Sequence, residues 1–175
     1  MDLDIEIDGW PSPSKGGVDW ADLAQAALAA AETVEPALSN QRLSASVLFT
    51  LDDDVRELNR EWRTKDKPTN VLSFPMLTRK DLLALEDDGG PEMLGDIALA
   101  LETCRREAED KGIALETHTV HLVIHGLLHL AGHDHVDSDD QAAAMEALEI
   151  KALATMGIAD PYGDRDMTHH SSGTA

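Results

Sequence analysis

Hydrophobic and polar positions follow two different periods along the chain, and these periods predict strands and helices. Residues 2–8 alternate strictly between aliphatic and acidic side chains, which is typical of a half-buried strand. Residues 19–35 repeat their apolar positions with a helical period, which predicts an amphipathic helix. The same patterns predict further strands at 43–50, 70–74 and 95–100, further helices at about 52–63, 103–110, 115–131 and 137–157, and an irregular segment at 77–93.

This order of elements predicts a fold class. The chain runs strand, helix, strand, helix, strand, strand and then three helices, which indicates an α/β (α+β) fold with one small mixed four-stranded sheet covered by about five helices. We expect one domain over 1–162 and a disordered polar tail over 163–175. In the second helix, Val55, Leu58 and Trp62 form the predicted core stripe.

Charge is distributed unevenly along the sequence. The formal net charge of −20 argues, taken alone, against a nucleic-acid partner, because phosphate repels an acidic surface. Five of the 14 lysines and arginines nevertheless fall within 56–67, where three arginines form a stripe along the predicted helix. This segment is either a solvated helix face balanced by neighbouring glutamates or a patch that faces an anion.

Cysteine usage and hydropathy bear on the compartment. A single cysteine, Cys104, excludes an internal disulfide and suits a reducing cytoplasm. No apolar run approaches the roughly 20 residues that a membrane span requires. The acidic, alternating N-terminal residues do not have the pattern of a secretory signal. We therefore expect a cytoplasmic protein with no membrane association.

The candidate chemistry lies in the stretch from His125 to His135, which reads His-Gly-Leu-Leu-His-Leu-Ala-Gly-His-Asp-His. Two histidines four residues apart share one helix face, because four residues turn the helix by about 400°. Gly132 lets the chain leave the helix with a positive φ, so that a third histidine can return to the same point. Three imidazoles with an open fourth position are typical of a catalytic zinc site. The pattern predicts one Zn²⁺ held by His125, His129 and His135, on this helix and the following turn.

The residue after the first histidine argues against one class of zinc enzyme. The three-histidine spacing is that of the extended metallopeptidase signature, in which a glutamate follows the first histidine and accepts a proton from the metal-bound water. This chain has Gly126 at that position. A zinc hydrolase of peptide or amide bonds remains an alternative, but such an enzyme would lack its usual general base.

Other polar residues near the motif have several possible roles. His121, one turn before His125, is interpreted as a residue that supports a ligand, contacts substrate or simply packs. His118 and His133 are expected to be packing or surface residues. Asp134 either orients a ligand imidazole or forms the turn.

Three segments of the chain resemble the YbeY family of rRNA-maturation endoribonucleases. They are the histidine stretch 125–135, the segment Leu58–Pro75 with its Asn-Val-Leu-Ser-Phe-Pro end, and Leu94–Leu99, which reads Leu-Gly-Asp-Ile-Ala-Leu. Their order and spacing are specific, and the match extends from about residue 40 to 162. Two positions depart from the family pattern: Asn70 stands where aspartate is also common, and His133 where tyrosine is common.

The resemblance implies both a site and an activity. It implies an α/β domain whose zinc is held by the three histidines already named, and an essential arginine at Arg63. The implied activity is metal-dependent cleavage of single-stranded RNA, in maturation of the small-subunit rRNA 3′ end and in ribosome quality control. RNA and the small ribosomal subunit are the expected partners, with Arg60 and Lys67 as substrate contacts and no DNA.

The chemistry of arginine agrees with this role for Arg63. Its planar guanidinium matches phosphate geometry and could stabilise the charge that grows on a phosphorus under attack. The other interpretation is a surface arginine that balances Glu57 or Glu61. A third hypothesis for the whole chain is a non-catalytic ribosome-assembly factor whose zinc is mainly structural.

Overall fold

A computed structural model describes residues 1–11, 19–63, 69–133 and 138–163, and for Arg63 it describes the backbone alone. The strands are β1 (Asp2–Ile7), β2 (Leu43–Thr50), β3 (Val71–Pro75) and β4 (Glu92–Ala100). The helices are α1 (Trp20–Val34), α2 (Asp52–Arg63), α3 (Arg79–Leu83), α4 (Leu101–Lys111), α5 (Leu115–Leu130) and α6 (Asp139–Thr155), with a 3-10 turn at Pro36–Ser39. Apart from Gly163, the predicted tail lies outside the described residues.

The four strands form one mixed sheet in the order β1-β2-β4-β3. β1 and β4 both run parallel to β2, whereas β3 is antiparallel to β4. The predicted fold class, α/β with a small mixed four-stranded sheet, is confirmed. None of the helices in the described ranges is long and apolar enough to cross a membrane.

The main core lies between one face of the sheet and α5. Side chains of β2 alternate in their burial, and Val47 and Phe49 pack into this core. Eleven of the 16 residues of α5 are buried, and the helix contacts α1, α4, α6, β3 and β4. A helix that is apolar on nearly every side must lie inside the protein. The histidine helix is therefore the central element of the fold.

The opposite face of the sheet is covered in part by α2, and here one core prediction is wrong. Val55 is fully buried there with Leu72 of β3. Trp62, the third residue of the predicted core stripe, is 70% exposed. It lies at the end of α2 over an open groove that it shares with Phe74 and Met76, so the side chain finds no cover despite its apolar spacing.

The segment 77–93, predicted as irregular, contains a short helix. Thr78 caps α3 by accepting a hydrogen bond from the Asp81 amide at 3.1 Å. Leu82 of this helix is buried in the main core. A single turn with one buried leucine is too short to produce a detectable period, so the helix depends on its cap and on tertiary packing.

Strand β4 begins at Glu92, three residues before the predicted start. The pairing with β2 shifts between Met93 and Gly95, so Leu94 is an extra residue in a β-bulge. A bulge interrupts the alternation of side chains, and this hides the first part of the strand. Gly95 is required here because an added Cβ would lie 2.4 Å from the carbonyl oxygen of Phe74.

Helix α4 starts at Leu101, directly after β4 and two residues before the predicted start. Its N-terminus is capped from another helix: the Asp52 carboxylate accepts hydrogen bonds from the Thr103 amide at 3.0 Å and from the Thr103 hydroxyl at 2.9 Å. In return, the Asp52 amide donates to Glu102 at 3.0 Å. This reciprocal cap explains why the helix can follow the strand without a loop.

Gly126 packs against the sheet, and we expect Gly126→Ala to destabilise the protein by about 1 kcal/mol. An added Cβ would lie 3.0 Å from Cδ1 of Ile97, a side chain that is 1% exposed and has little room to move. Overpacking of this kind costs about 1–3 kcal/mol, and alanine gains roughly 1 kcal/mol over glycine in a helix, so the net loss lies near the middle of a range of about 0–2 kcal/mol. Urea unfolding measures the difference.

Gly90→Ala is the matched control, because a Cβ at that position meets nothing within 4 Å. A Gly126→Ala protein as stable as the wild type would show that Ile97 can yield, and that close packing does not require glycine at this point.

Candidate metal centre

The surface of α5 is open to solvent at two histidines. Between His118 and Leu130, every residue is buried except His125 and His129. Their ring centroids lie 6.4 Å apart with an angle of 41° between the planes. The four-residue spacing thus places both imidazoles on one face, as predicted, and the burial of the rest of the helix makes this face the one that is accessible.

A buried carboxylate from α6 fixes the state of the first histidine. Nδ1 of His125 lies 2.9 Å from Oε2 of Glu149, a side chain that is 1% exposed. An ionised carboxylate can only accept hydrogen bonds, so the imidazole donates its Nδ1–H, and the neutral form of the ring carries its lone pair on Nε2. That is the tautomer of a histidine that binds a metal through Nε2. The described part of the site therefore fits a metal ion.

Glu149 accepts two further hydrogen bonds. His121 donates from Nε2 at 2.5 Å and Tyr162 from its hydroxyl at 2.7 Å, both to Oε1. Burial opposes ionisation, but hydrogen bonds from His121 and His125 outweigh it and lower the pKa of Glu149 to about 2. The carboxylate is therefore charged at neutral pH, and His121 supports a candidate ligand through it.

Sequence reasoning missed Glu149 and Tyr162. A signal for Glu149 existed, because it stands four residues after Met145 and three before Ala152, on the buried face of α6. A glutamate on the apolar face of a helix requires a buried partner. Nothing in the local sequence indicated that the partners were histidines on α5, and no comparable signal marked Tyr162.

A cleft of about 490 Å³ adjoins His125. Asn70, directly before β3, and Glu107 and Lys111, from α4, contribute to its walls. Asn70 donates through Nδ2 to Oε1 of Glu107 at 2.9 Å, and Nε2 of His118 lies 2.8 Å from the same oxygen. His118 is thus a buried packing residue with a polar partner. The cleft places Asn70, two carboxylates (Glu107 and Asp110) and one lysine (Lys111) beside His125.

The third predicted ligand, His135, lies with Asp134 outside the described residues. Up to that point the chain follows the prediction, because Gly132 has a φ of 98° and takes the chain out of the helix. Within the described ranges, no group of three or more histidine, cysteine or acidic side chains is arranged to hold a metal. The ligand set with His135 therefore remains a prediction.

His133 is engaged by a second buried carboxylate. Its Nε2 lies 2.6 Å from Oε1 of Glu35, which also accepts a hydrogen bond from Arg79 at 2.5 Å. Burial of Glu35 raises its pKa, but the hydrogen bonds from Arg79 and His133 outweigh burial and lower it. The structure thus places His133 in a polar cluster between α1, α3 and the turn after α5.

The predicted basic residues are described only in part. Arg60 is exposed on α2 and lies 3.8 Å from Glu57, as in the interpretation of a balanced surface. An exposed pair of this kind contributes little to stability. The side chain of Arg63, which ends α2, and the whole of Lys67 lie outside the described residues, so their roles remain predictions.

The fold and the site define a class, a small α/β protein with a histidine-based candidate metal centre beside a polar cleft. The family model described as "Endoribonuclease YbeY" matches residues 14–157. The protein named "Endoribonuclease YbeY" from Erythrobacter litoralis is 66% identical over 165 residues, covering 94% of this chain and 99% of the relative. The protein of the same name from Novosphingobium aromaticivorans is 56% identical, covering 94% and 97%.

The chain belongs to the endoribonuclease YbeY family. The resemblance seen in the sequence is thereby confirmed, and so is the expected class of enzyme, an endoribonuclease. The peptide hydrolase and the non-catalytic assembly factor are not favoured. A solution structure of TM1509 from Thermotoga maritima is similar in fold, with a TM-score of 0.52, 23% identity, and coverage of 87% of this chain and 91% of that chain.

Burial of His118 predicts a pH dependence of stability. Desolvation lowers its pKa below the usual 6.5 and outweighs the opposing effect of Glu107. The unfolded chain then binds this proton more readily, so the contribution of neutral His118 to stability is complete above pH 6.5 and is lost as the pH falls below it. His118→Gln, which does not titrate, should reduce the fall in the free energy of unfolding between pH 7.5 and 5.

The measurement is urea unfolding of both proteins at several pH values with a chelator present. One group can change the slope by at most about 1.4 kcal/mol per pH unit. The two proteins share every other titratable group, so the difference isolates His118. Parallel pH profiles would show that His118 is protonated in the folded state as easily as in the unfolded chain.

Proposed function

We propose that this chain is a zinc-dependent endoribonuclease that cleaves single-stranded RNA, acting in maturation of the small-subunit rRNA 3′ end and in ribosome quality control. The observation that carries the proposal is the His125–Glu149 hydrogen bond beside His129, on the open face of a buried helix. This arrangement fixes the orientation of an imidazole that lines a cleft and that can bind a metal. The family to which the chain belongs supports RNA as the substrate.

One Zn²⁺ per chain would be held by His125, His129 and His135. When bound, zinc supplies a Lewis acid and lowers the pKa of a bound water. Glu149 accepts the Nδ1–H of His125 and so leaves Nε2 as the atom that would bind the metal, and His121 and Tyr162 hold that carboxylate in place. These contacts set the orientation of the ligand before any metal binds.

Arg63 is proposed to stabilise the negative charge that develops on the scissile phosphate. Helix α2 ends at Arg63, and seven residues later Asn70 lines the same cleft as His125. The chain therefore passes from the end of α2 to the cleft over a short segment. A guanidinium donates two parallel hydrogen bonds to phosphate oxygens and remains charged, which suits it to this role.

Arg60 and Lys67 are proposed as substrate contacts on the same segment. They would offset the repulsion between RNA and a chain whose net charge is −20. The proposal also includes a cytoplasmic location, the small ribosomal subunit as partner, and no action on DNA. The single, buried Cys104 is consistent with a reducing compartment.

The local geometry also speaks against hydrolysis of peptides. Gly126, in the position of the peptidase glutamate, faces Ile97 in the sheet. Glu149, the carboxylate that His125 contacts, is 1% exposed and binds three donors, so it is poorly placed to take a proton from water. A protease assay of zinc-loaded protein should show no activity.

The decisive experiment combines metal analysis with RNA cleavage for the wild type, Arg63→Ala and His125→Ala. We expect Arg63→Ala to keep its zinc and its fold and to lose at least about a hundredfold in cleavage rate, as when one transition-state donor is removed. His125→Ala should lose both zinc and cleavage. Lys80→Ala, an exposed cation on α3, is the control and should cleave normally.

Cleavage by His125→Ala at the wild-type rate would identify a contaminating nuclease or rule out the metal. Full activity in Arg63→Ala would remove the proposed role of the guanidinium. Wild-type protein that holds no zinc, or a different metal with full activity, would contradict the proposed cofactor.

Arg60→Ala is expected to weaken RNA binding several-fold without changing the zinc content. Each lost phosphate contact reduces the slope of log affinity against log salt concentration by about one. A salt series of binding to single-stranded RNA measures this slope. Lys151→Ala, an exposed lysine on α6, is the matched control, and an equal effect there would indicate a general effect of charge rather than a contact at Arg60.

A further inference from the structure

A buried polar cluster fixes the turn that leads to the third predicted ligand. Its centre is Glu35, which follows α1 and is 5% exposed. Oε1 of Glu35 accepts hydrogen bonds from Arg79, the first residue of α3, and from His133, at the end of the described turn after α5. Three elements that are distant in sequence therefore meet at one carboxylate.

Arg79 binds the backbone of the turn as well. Its Nη1 donates to the carbonyl oxygen of Ala131 at 2.8 Å. Its side chain also lies against Gly132, where an added Cβ would approach Cβ of Arg79 to 2.6 Å and Cδ to 2.8 Å. The positive φ of Gly132 and this close approach both require glycine, so the arginine and the turn fit each other closely.

The cluster restrains the turn 131–133 at each residue. The Arg79 guanidinium holds Ala131 through its carbonyl oxygen and packs against Gly132, and Glu35 holds the side chain of His133. His135 follows two residues later, so its Cα lies within about 7 Å of that of His133. Whatever fixes the turn therefore limits the positions that the third imidazole can reach.

We propose that Glu35 is a positioning residue of the metal centre, which acts through Arg79 and His133 to hold the turn 131–133 so that His135 can join His125 and His129. This inference rests on the proposed zinc site. The hydrogen-bond partners of the Glu35 side chain are Arg79 and His133, and Glu35 is not among the residues that line the cleft. By holding the turn in advance, Glu35 lowers the conformational entropy that the turn loses when the metal binds. The competing explanation is that the cluster only stabilises the fold.

The two explanations differ in their effect on metal affinity. Glu35→Ala removes the acceptor shared by Arg79 and His133. If Glu35 positions the ligand turn, zinc affinity should fall about ten- to a hundredfold, as it does when groups that orient ligands are removed. If the role is structural only, the thermal midpoint of the metal-free protein should fall while the folded protein keeps its zinc affinity.

The experiment is zinc titration of the full chain in competition with a chromophoric chelator, with circular dichroism to confirm folding. Glu35→Gln retains an oxygen that can accept both hydrogen bonds, and it should recover most of the affinity. Glu92→Ala, which breaks the Arg42–Glu92 pair at 3.5 Å outside the cluster, is the matched control and should bind zinc like the wild type.

His133→Phe and His133→Tyr test the cluster from the other side. Phenylalanine removes the donor to Glu35, whereas tyrosine offers a hydroxyl that can donate to the same carboxylate. We expect the phenylalanine variant to bind zinc weakly and the tyrosine variant to bind it nearly as tightly as the wild type. The visible absorption of Co²⁺-loaded protein should lose intensity in the phenylalanine variant, because a site with fewer histidines takes up water ligands.

The outcomes separate the inference from the function on which it rests. Wild-type affinity in folded Glu35→Ala and His133→Phe would overturn the positioning role while the zinc site stands. An equal loss of affinity in Glu92→Ala would overturn it too. A wild-type protein without zinc affinity would overturn the proposed function together with the inference. If Glu35→Ala does not fold, the two His133 variants decide.

Discussion

Burial of α5 is the constraint on which the rest of the structure depends. A helix that is apolar on almost every side is stable only when other elements enclose it, and α1, α4, α6 and two strands do so. Its polar side chains must then find partners inside the protein: the Thr119 hydroxyl donates to the Leu115 carbonyl at 2.7 Å, and His118 pairs with Glu107. Only His125 and His129 reach solvent along its second half. The core itself thus selects the face that can bind a ligand.

Two buried carboxylates hold the histidine stretch from different directions. Glu149 binds His125 from a helix 24 residues later, and Glu35 binds His133 from a position 98 residues earlier. Each would be costly to bury alone, and each is kept ionised by two or more donors. Many other carboxylates of this strongly acidic chain are exposed. These two are buried instead, and their hydrogen bonds fix the orientation of the candidate ligand His125 and of the turn after α5.

Membership of the endoribonuclease YbeY family and the local geometry establish different features of this protein. Relatives that are 66% and 56% identical over nearly the whole chain establish the class of enzyme. Contacts within the structure show how individual side chains are held, such as Nδ1 of His125 on Glu149 and Gly126 against Ile97. The cleft beside His125 is lined by Asn70, which stands seven residues after the end of α2.

The sequence alone determined the features that depend on neighbouring residues. Strict alternation located β1, helical periods located α1, α2 and α5, and the spacing of His125 and His129 placed them on one face, because these patterns reflect local backbone geometry. Gly132 has the positive φ that its position required. His135, Arg63 and Lys67 stay predictions from the motif and the family resemblance.

Tertiary structure decided the features that depend on contacts between distant residues. Trp62 has apolar spacing but lies over an open groove, and the bulge in β4 arises from its pairing with β2. Glu149 and Glu35 could not be recognised as partners of the histidines, because no local pattern records which side chains meet across the core. The sequence thus identified the candidate ligands, whereas the groups that orient them became visible only when the helices were packed together.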